Sequence, residues 1–201
     1  PFTLFAILLL INSFNYFDGM DGTLSFASIS VIAILFFLVT DQNLKSFFII
    51  FLIPIVIFIF FNFSIFKLPK IFLGDSGSLY IGFVISFILI YFSNKNYFHS
   101  ILLAWSVAIF VYEFLSINFI RIKNKKSPFT AGNDHLHDLI YKFIKSHFLT
   151  SLFVSLINLI LFLIGYLTFI LISPLASLIS FILTFIIFFY LRIIYSEKFL
   201  T

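Results

Sequence analysis

The chain has 201 residues, of which 62% are hydrophobic and only 10% are charged, and its mean hydropathy is +1.20. A soluble domain carries about 25% charged residues, so this composition excludes one and predicts an all-α fold, a polytopic integral membrane helical bundle. The absence of cysteine excludes disulfides and thiolate-bound metals. The net charge of +4 is too small to indicate a nucleic acid as a partner.

Apolar runs predict the membrane segments in chain order. The first run, residues 1–11, is too short to span a bilayer, and we interpret it as the end of a helix that begins upstream. Six further runs follow, at residues 24–39, 47–66, 79–92, 101–120, 148–172 and 175–191. The sequence therefore predicts about seven membrane segments in a single transmembrane domain, residues 1–201, which we expect to be the C-terminal part of a longer chain.

The basic residues indicate which side of the membrane each loop faces. If the chain crosses at every segment, ten of the twelve lysines and arginines lie on one side, and only Lys45 and Lys95 lie on the other. Cytoplasmic loops carry such an excess of basic residues, so the first side is predicted to be cytoplasmic. Three polar islands, at residues 12–22, 73–78 and 127–138, fall on this side.

The first polar island has a repeating pattern of amides and carboxylates. Asn12, Asn15, Asp18 and Asp21 recur every three residues, which places them along one strip of a helix end. Ionisable groups beside a bilayer are costly to retain, which favours a functional role. The alternative is a simple polar turn between two helices, although four such side chains are more than a turn requires.

The second polar island centres on Asp75, which we place just ahead of a membrane helix. There its side chain could cap the free backbone N–H groups of the helix. The functional alternative is an oxygen ligand for Mg²⁺, which takes one or two carboxylates and fills its other positions with water and substrate phosphates. Gly74, Gly77 and the amides at the helix start also suit an anion.

The third polar island follows a basic stretch, residues 121–126, and contains Ser127-Pro128-Phe129 and then His135 and His137. Basic residues at this depth attract anionic lipids, which is an alternative explanation for them. A histidine pair separated by one residue is weak evidence for zinc without further ligands at a standard spacing. Imidazoles next to basic residues are better suited to a phosphate.

Glu113 lies inside an apolar run, eight residues before Arg121, and so about 12 Å along a helix from the membrane edge. A buried carboxylate there costs on the order of 3 kcal/mol unless it is paired or hydrated. Its side chain is too short to reach the interface, so we expect it to face a polar cavity.

Together these motifs resemble the polyprenyl-phosphate N-acetylhexosamine-1-phosphate transferases, glycosyltransferase family 4, which includes the phospho-N-acetylmuramoyl-pentapeptide transferases. The resemblance rests on the pattern from Asn12 to Gly22, on the Gly-Asp-Ser-Gly-Ser run around Asp75, and on the third island. It implies a Mg²⁺-dependent enzyme, with Mn²⁺ as a substitute, in the bacterial inner membrane with its active site on the cytoplasmic face. Such an enzyme transfers a sugar-1-phosphate from a UDP-sugar, here preferably UDP-N-acetylglucosamine, to undecaprenyl phosphate and releases UMP, as the first membrane step of cell-envelope glycan synthesis.

The resemblance also assigns roles to residues. It implies that Asn15 and Asp75 hold the metal, and that Asp18, Asp21 and Asp75 are catalytic. It implies that the substrates contact Asn12, Asn15, Glu113, His135 and His137. The chain departs from the family pattern in two ways, because it has no adjacent aspartates and has Asp138 where the family commonly has a further histidine.

Two other classes of function stay open at this stage. A membrane transporter would also retain an ionisable residue such as Glu113 within a span, although transporters usually place polar residues near the bilayer midplane. The other is a shortened, catalytically inactive membrane protein, which would explain why the chain lacks the adjacent aspartates of the family pattern. The expected partners are the UDP-sugar, the polyprenyl phosphate and the membrane, and the assembly considered is a homodimer.

Overall fold

The computed structural model describes residues 2–127, 132 and 134–200. This part of the chain is helical, as the composition predicts. Its helices are α1 (Phe2–Tyr16), α2 (Thr23–Leu38), α3 (Gln42–Asn62), α4 (Gly74–Asn94), α5 (Ser100–Ser106), α6 (Ala108–Lys123), α7 (Leu136–Ile144), α8 (His147–Leu171) and α9 (Pro174–Leu200), with a 3₁₀ turn at Ile65–Lys67. Pro128 and Phe129 of the third polar island lie outside the described residues.

Four of these helices, α3, α4, α8 and α9, are long and apolar enough to cross a membrane, and α5 with α6 provides a fifth span if the bent pair is counted as one. Helices α1 and α2 are apolar but have only 15 and 16 residues, fewer than the roughly 20 that a span needs. The part of the chain that the structure describes therefore confirms a multi-pass membrane bundle, but not the predicted count of about seven spans.

The apolar run at residues 101–120 is predicted to be one membrane segment, and the structure divides it into two helices. The chain bends by 71° between α5 and α6 at Val107, whose backbone leaves the helical region. Buried Asn158 of α8 compensates for the break: its Nδ2 donates to the Ser106 carbonyl at 3.0 Å, and its Oδ1 accepts from the Ile109 N–H at 3.4 Å. Both bonds satisfy backbone groups that no water reaches inside a bilayer.

Helices α1 and α4 pack against each other, as do α2 and α8, and buried aromatic rings fill the interior near the end of α1. There the rings of Phe14 and Phe110 stack with their centroids 3.9 Å apart. This packing fixes the position at which α1 ends, and therefore the position of the first polar island.

The end of α3 meets the start of α2 through Asn62, which accepts from the Gly22 N–H at 2.7 Å and donates to the Ile71 carbonyl at 2.9 Å. Gly22 has a φ of +77°, and a Cβ there would lie 2.5 Å from the Phe63 ring, so both the backbone and the packing require glycine. These contacts bring residues 12–22 and 73–78 to the same end of the bundle, as the alternating threading predicts.

Candidate functional site

Asp75 lies in the first turn of α4 rather than ahead of the helix, which corrects its predicted position. Leu73 occupies the N-cap position, and its side chain makes no capping hydrogen bond. The Asp75 carboxylate instead accepts a hydrogen bond at 3.2 Å from Nδ2 of Asn15, which also donates to the Ser78 hydroxyl at 2.9 Å. The side chain is therefore held across the contact between α1 and α4.

Asp18 and Asp75 line the same cleft, which has a volume of about 280 Å³. Burial and the nearby negative charge of Asp75 raise the pKa of Asp18 to about 6. A carboxylate whose ionisation is disfavoured by a neighbouring carboxylate forms a site that a cation would stabilise. The first two polar islands thus supply one acidic cleft.

Asp21 lines the cleft too, but its carboxylate already has hydrogen-bonding partners. Its Oδ2 lies 2.7 Å from Nζ of Lys70 and 2.9 Å from Nδ1 of His147. Burial acts to raise the pKa of Asp21, but the hydrogen bonds from these two residues more than offset it and leave the pKa below its ordinary value. The motifs do not identify Lys70 or His147, because each is an isolated residue in the sequence.

His137 connects the third polar island to the first. A Cβ added at Gly19 would lie only 2.8 Å from Nε2 of His137, so the imidazole rests against the glycine backbone beside Asp18. Burial, with the nearby His135 and Arg192, lowers the pKa of His137 to about 3. The ring is therefore neutral near pH 7, and it can donate one N–H but carries no charge.

Glu113 is paired and does not face the predicted polar cavity. Only 1% of its surface is exposed, and its carboxylate accepts two bonds from Arg192, at 3.0 and 3.1 Å, and a third from the Leu136 N–H at 2.9 Å. Glu113 thus lies in a buried ion pair where a polar cavity is predicted. Glu113 lies 3.9 Å from Nδ1 of His135 and fixes the start of α7, which places it behind the histidines.

The residues before α7 are fixed by a second ion pair. Arg121 donates to both carboxylate oxygens of Asp134, at 2.6 and 3.2 Å, and its Nη2 lies 3.4 Å from Nε2 of His135. Asp138 accepts from the His135 N–H at 3.1 Å. The residue that replaces the family's further histidine thus caps α7 in this chain.

Asn12 is also a predicted site residue, but its hydrogen bond in the described part of the chain lies within α1. Its side chain is exposed and donates to the Leu8 carbonyl at 2.7 Å. It lies one turn of α1 before Asn15. The described residues therefore bring Asn15, Asp18, Asp75 and His137 together, with Asp21 beside them and Glu113 and His135 behind them.

The acidic cleft fits a magnesium ion better than a structural metal. Among the described residues, no group of three or more His, Cys, Asp or Glu side chains is placed to hold a metal ion. Mg²⁺ needs only one or two carboxylates and keeps water and phosphate oxygens as its remaining ligands. Asp18 and Asp75 meet this requirement, and Asn15, whose nitrogen bonds Asp75, could contribute only its Oδ1.

The fold and the site define a membrane-embedded helical protein with a carboxylate and imidazole cleft at one end of its bundle. Comparison with known proteins points to one family. Residues 1–93 match the model of glycosyl transferase family 4, so this stretch of the chain is similar to that family. No solved structure matches the chain.

The curated relatives carry names of one kind. The undecaprenyl-phosphate alpha-N-acetylglucosaminyl 1-phosphate transferase of Yersinia pestis is 31% identical over 146 residues, and the protein of the same name from Escherichia coli K12 is 31% identical over 147 residues. Each match covers 70% of this chain and 40% of the relative. A probable undecaprenyl-phosphate N-acetylglucosaminyl 1-phosphate transferase of Bacillus subtilis is 29% identical over 167 residues, which is 80% of this chain and 45% of the relative. The chain thus spans less than half the length of these relatives.

Proposed function

We propose that the protein transfers N-acetylglucosamine-1-phosphate from a UDP-sugar to a polyprenyl phosphate, such as undecaprenyl phosphate, and releases UMP. We place the reaction at the acidic cleft, on the cytoplasmic face of a bacterial inner membrane. The observation that carries this proposal is the approach of Asp18, Asp75 and His137 from three separate polar islands. The names of the relatives support the sugar and the lipid acceptor.

The reaction exchanges one phosphorus–oxygen bond for another. An oxygen of the acceptor phosphate attacks the β-phosphorus of the UDP-sugar, and the bond to the bridging oxygen breaks, so UMP leaves with the electron pair. Phosphoryl transfer of this kind depends mainly on positioning and on neutralising negative charge. A bound Mg²⁺ would supply much of that neutralisation, held by Asp18, Asp75 and Oδ1 of Asn15.

The side chains around the cleft suit the rest of this task. Neutral His137 offers an N–H to a phosphate oxygen without forming a fixed ion pair. Lys70 and His147 supply further donors, which Asp21 holds in place. Asn15 orients the Asp75 carboxylate. These residues bind and orient phosphates and form no covalent intermediate in this scheme.

The position of the cleft suits a lipid acceptor. Phe72 lines the cleft and is 72% exposed, and Leu73 lines it next to Asp75. An isoprenoid chain in the bilayer could therefore lie against apolar side chains while its phosphate enters the acidic cleft. This arrangement favours a transferase over a transporter, because the polar side chains gather at one end of the bundle and not at its middle.

The proposal is tested by the variant Asp75→Asn in membranes that contain the full-length protein, with UDP-N-acetylglucosamine, undecaprenyl phosphate and Mg²⁺. We expect UMP release to fall at least about 100-fold, because an amide replaces a charged metal ligand. Chelation should abolish release by the unmodified protein, and Mg²⁺ or Mn²⁺ should restore it.

The matched control is Asp41→Asn at the opposite end of the bundle. Asp41 caps α3 by accepting from the Leu44 N–H at 2.9 Å, and asparagine caps helices equally well, so activity should be retained. Unchanged UMP release by Asp75→Asn would contradict the metal assignment. Uptake of the UDP-sugar without UMP release would identify a transporter instead.

A further inference from the structure

A second cavity, of about 640 Å³, lies between α7, α8 and α9. We call it the α7–α9 groove, and its walls include Leu139, Ile140, Phe153, Ile157 and Phe188. Arg192 is the charged residue among its lining residues. The groove shares no lining residue with the acidic cleft, so it is a separate site.

Arg192 has one donor that the described residues leave unsatisfied. Its side chain is 3% exposed, with Nε and Nη2 bonded to Glu113 and Nη2 also bonded to the Asp134 carbonyl. Nη1 is buried and has no hydrogen-bond partner within the described part of the chain. A buried guanidinium N–H without an acceptor is costly, and Arg192 lines the groove, so this groove is suited to an oxyanion.

The rim of the groove is apolar and reaches the surface of the bundle. Phe143 is 61% exposed, Leu191 47% and Tyr195 42%. Since α8 and α9 are both candidate spans, their apolar surfaces face lipid tails. A molecule with an apolar chain can therefore enter the groove sideways from the bilayer.

We propose that the α7–α9 groove binds a phospholipid of the surrounding membrane. One acyl chain lies against the apolar walls, and the headgroup phosphate accepts a hydrogen bond from Nη1 of Arg192. A charge-assisted bond of this kind is among the stronger hydrogen bonds that a protein makes. The ligand is not the acceptor of the proposed reaction, because its phosphate would lie outside the acidic cleft.

Binding in the groove would reach the cleft through Arg192. The same guanidinium binds both Glu113 and the Asp134 carbonyl just before His135. Glu113 in turn accepts from the Leu136 N–H at the start of α7. A phosphate on Nη1 would restrict the Arg192 side chain and so stabilise the segment that carries the two histidines. The phospholipid would thus act as a structural ligand of the site.

The test measures lipid binding to the delipidated full-length protein by native mass spectrometry. The probes are dioctanoyl phosphatidylglycerol and dioctanoylglycerol, which have the same acyl chains, but only the first carries a phosphoglycerol headgroup. We expect the phosphate-bearing lipid to bind about tenfold more tightly, the contribution of roughly one charge-assisted hydrogen bond. Equal affinities would overturn the proposal.

Two variants locate the binding. Ile157→Trp fills the groove and should weaken phosphatidylglycerol binding at least about tenfold, since the acyl chain loses its space. Its matched control is Ile160→Trp on the same helix, at a position that is 58% exposed and outside the groove lining, where binding should not change. If the two variants bind the lipid alike, the groove is not its site.

Arg192→Lys keeps a cation beside Glu113 but removes Nη1, and it covers the case in which the groove variant fails to fold. It should lose the preference for phosphatidylglycerol over dioctanoylglycerol and retain binding of both. An unchanged preference would rule out the contact with Nη1.

Farnesyl phosphate tests the identity of the ligand. If it displaces phosphatidylglycerol, binds more tightly and loses affinity in Ile157→Trp, the groove holds an isoprenoid phosphate and the phospholipid proposal is wrong.

Discussion

Asn15 and Asp75, which are 60 residues apart in the sequence, are joined by a hydrogen bond of 3.2 Å from Nδ2 to Oδ1. The same amide nitrogen reaches the Ser78 hydroxyl one turn further along α4. This pair links the first two polar islands and sets the direction of the Asp75 carboxylate. The geometry of the acidic cleft therefore depends on an uncharged residue.

Replacing Asn15 with alanine should lower the rate of UMP release by about 10- to 100-fold, the usual effect of removing a residue that orients a metal ligand. The Mg²⁺ concentration needed for half-maximal activity should rise as well, because Asp75 loses its orientation. Steady-state assays over a Mg²⁺ titration provide the measurement. Asn43→Ala, an exposed asparagine at the other end of the bundle, serves as the control, and equal effects of the two variants would contradict this role.

Asp18 should make the stability of the protein depend on pH. Its folded-state pKa of about 6 lies above the ordinary value of 3.8, so the folded state holds this proton more tightly than the unfolded state. Stability should therefore fall as the pH rises from about 4 to about 6, and the whole penalty should be present above that range. Asp18→Asn removes the penalty and should unfold at a higher temperature than the unmodified protein at neutral pH, with no such advantage near pH 4.

Thermal unfolding in detergent at several pH values tests this effect of Asp18. Mg²⁺ should raise the midpoint of the unmodified protein at neutral pH and have less effect on Asp18→Asn. The variant should also lose activity, which separates its gain in stability from any gain in function. A pH-independent difference between the two proteins would refute the raised pKa.

Gly19→Ala should displace His137, because the new methyl group would lie 2.8 Å from Nε2. We expect a loss of stability of about 1–3 kcal/mol, which is typical of overpacking, together with weaker activity. In a His137→Ala background the same substitution should cost much less, since the space is then open. A double-mutant cycle on unfolding free energies measures this coupling, and additive effects would show that the two residues do not touch.

Replacing Glu113 or Arg192 alone should destabilise the protein far more than replacing both together. Removing one partner of a buried ion pair leaves the other charge uncompensated and costs about 3–5 kcal/mol. Glu113→Gln and Arg192→Met should therefore each lower the unfolding temperature strongly, whereas the double variant should recover much of the loss. Unfolding midpoints of the four proteins decide this, and a double variant less stable than either single variant would contradict the pairing.

The sequence predicts the local parts of this molecule well. Composition indicates the helical membrane bundle, and the three-residue spacing from Asn15 to Asp21 places polar groups at the end of α1. The alternation of apolar runs correctly places the described parts of the three polar islands at one end of the bundle. The membrane side that this end faces stays a prediction.

The remaining features depend on contacts between distant residues, which no local pattern reveals. Glu113 is paired with Arg192, 79 residues away, so the apolar run alone indicates a cavity where the structure has an ion pair. His147 and Lys70 reach Asp21 from separate segments. The bend at Val107 has no glycine or proline to mark it, and its only trace in the sequence is Asn158, an amide within the apolar run at residues 148–172.

The bend has its own consequence for how this protein can move. The Asn158 amide gives one bond to each side of the break, and its Nδ2 also donates to the Ser30 hydroxyl at 2.9 Å, so three helices share one side chain. If α5 and α6 straightened into one continuous helix, the Asn158 amide would lose its hydrogen bonds to Ser106 and Ile109. The amide oxygen would then be left unsatisfied inside the bilayer, which is costly. The bend between α5 and α6 should therefore stay rigid during the proposed reaction. Any opening of the protein would have to occur in other helices.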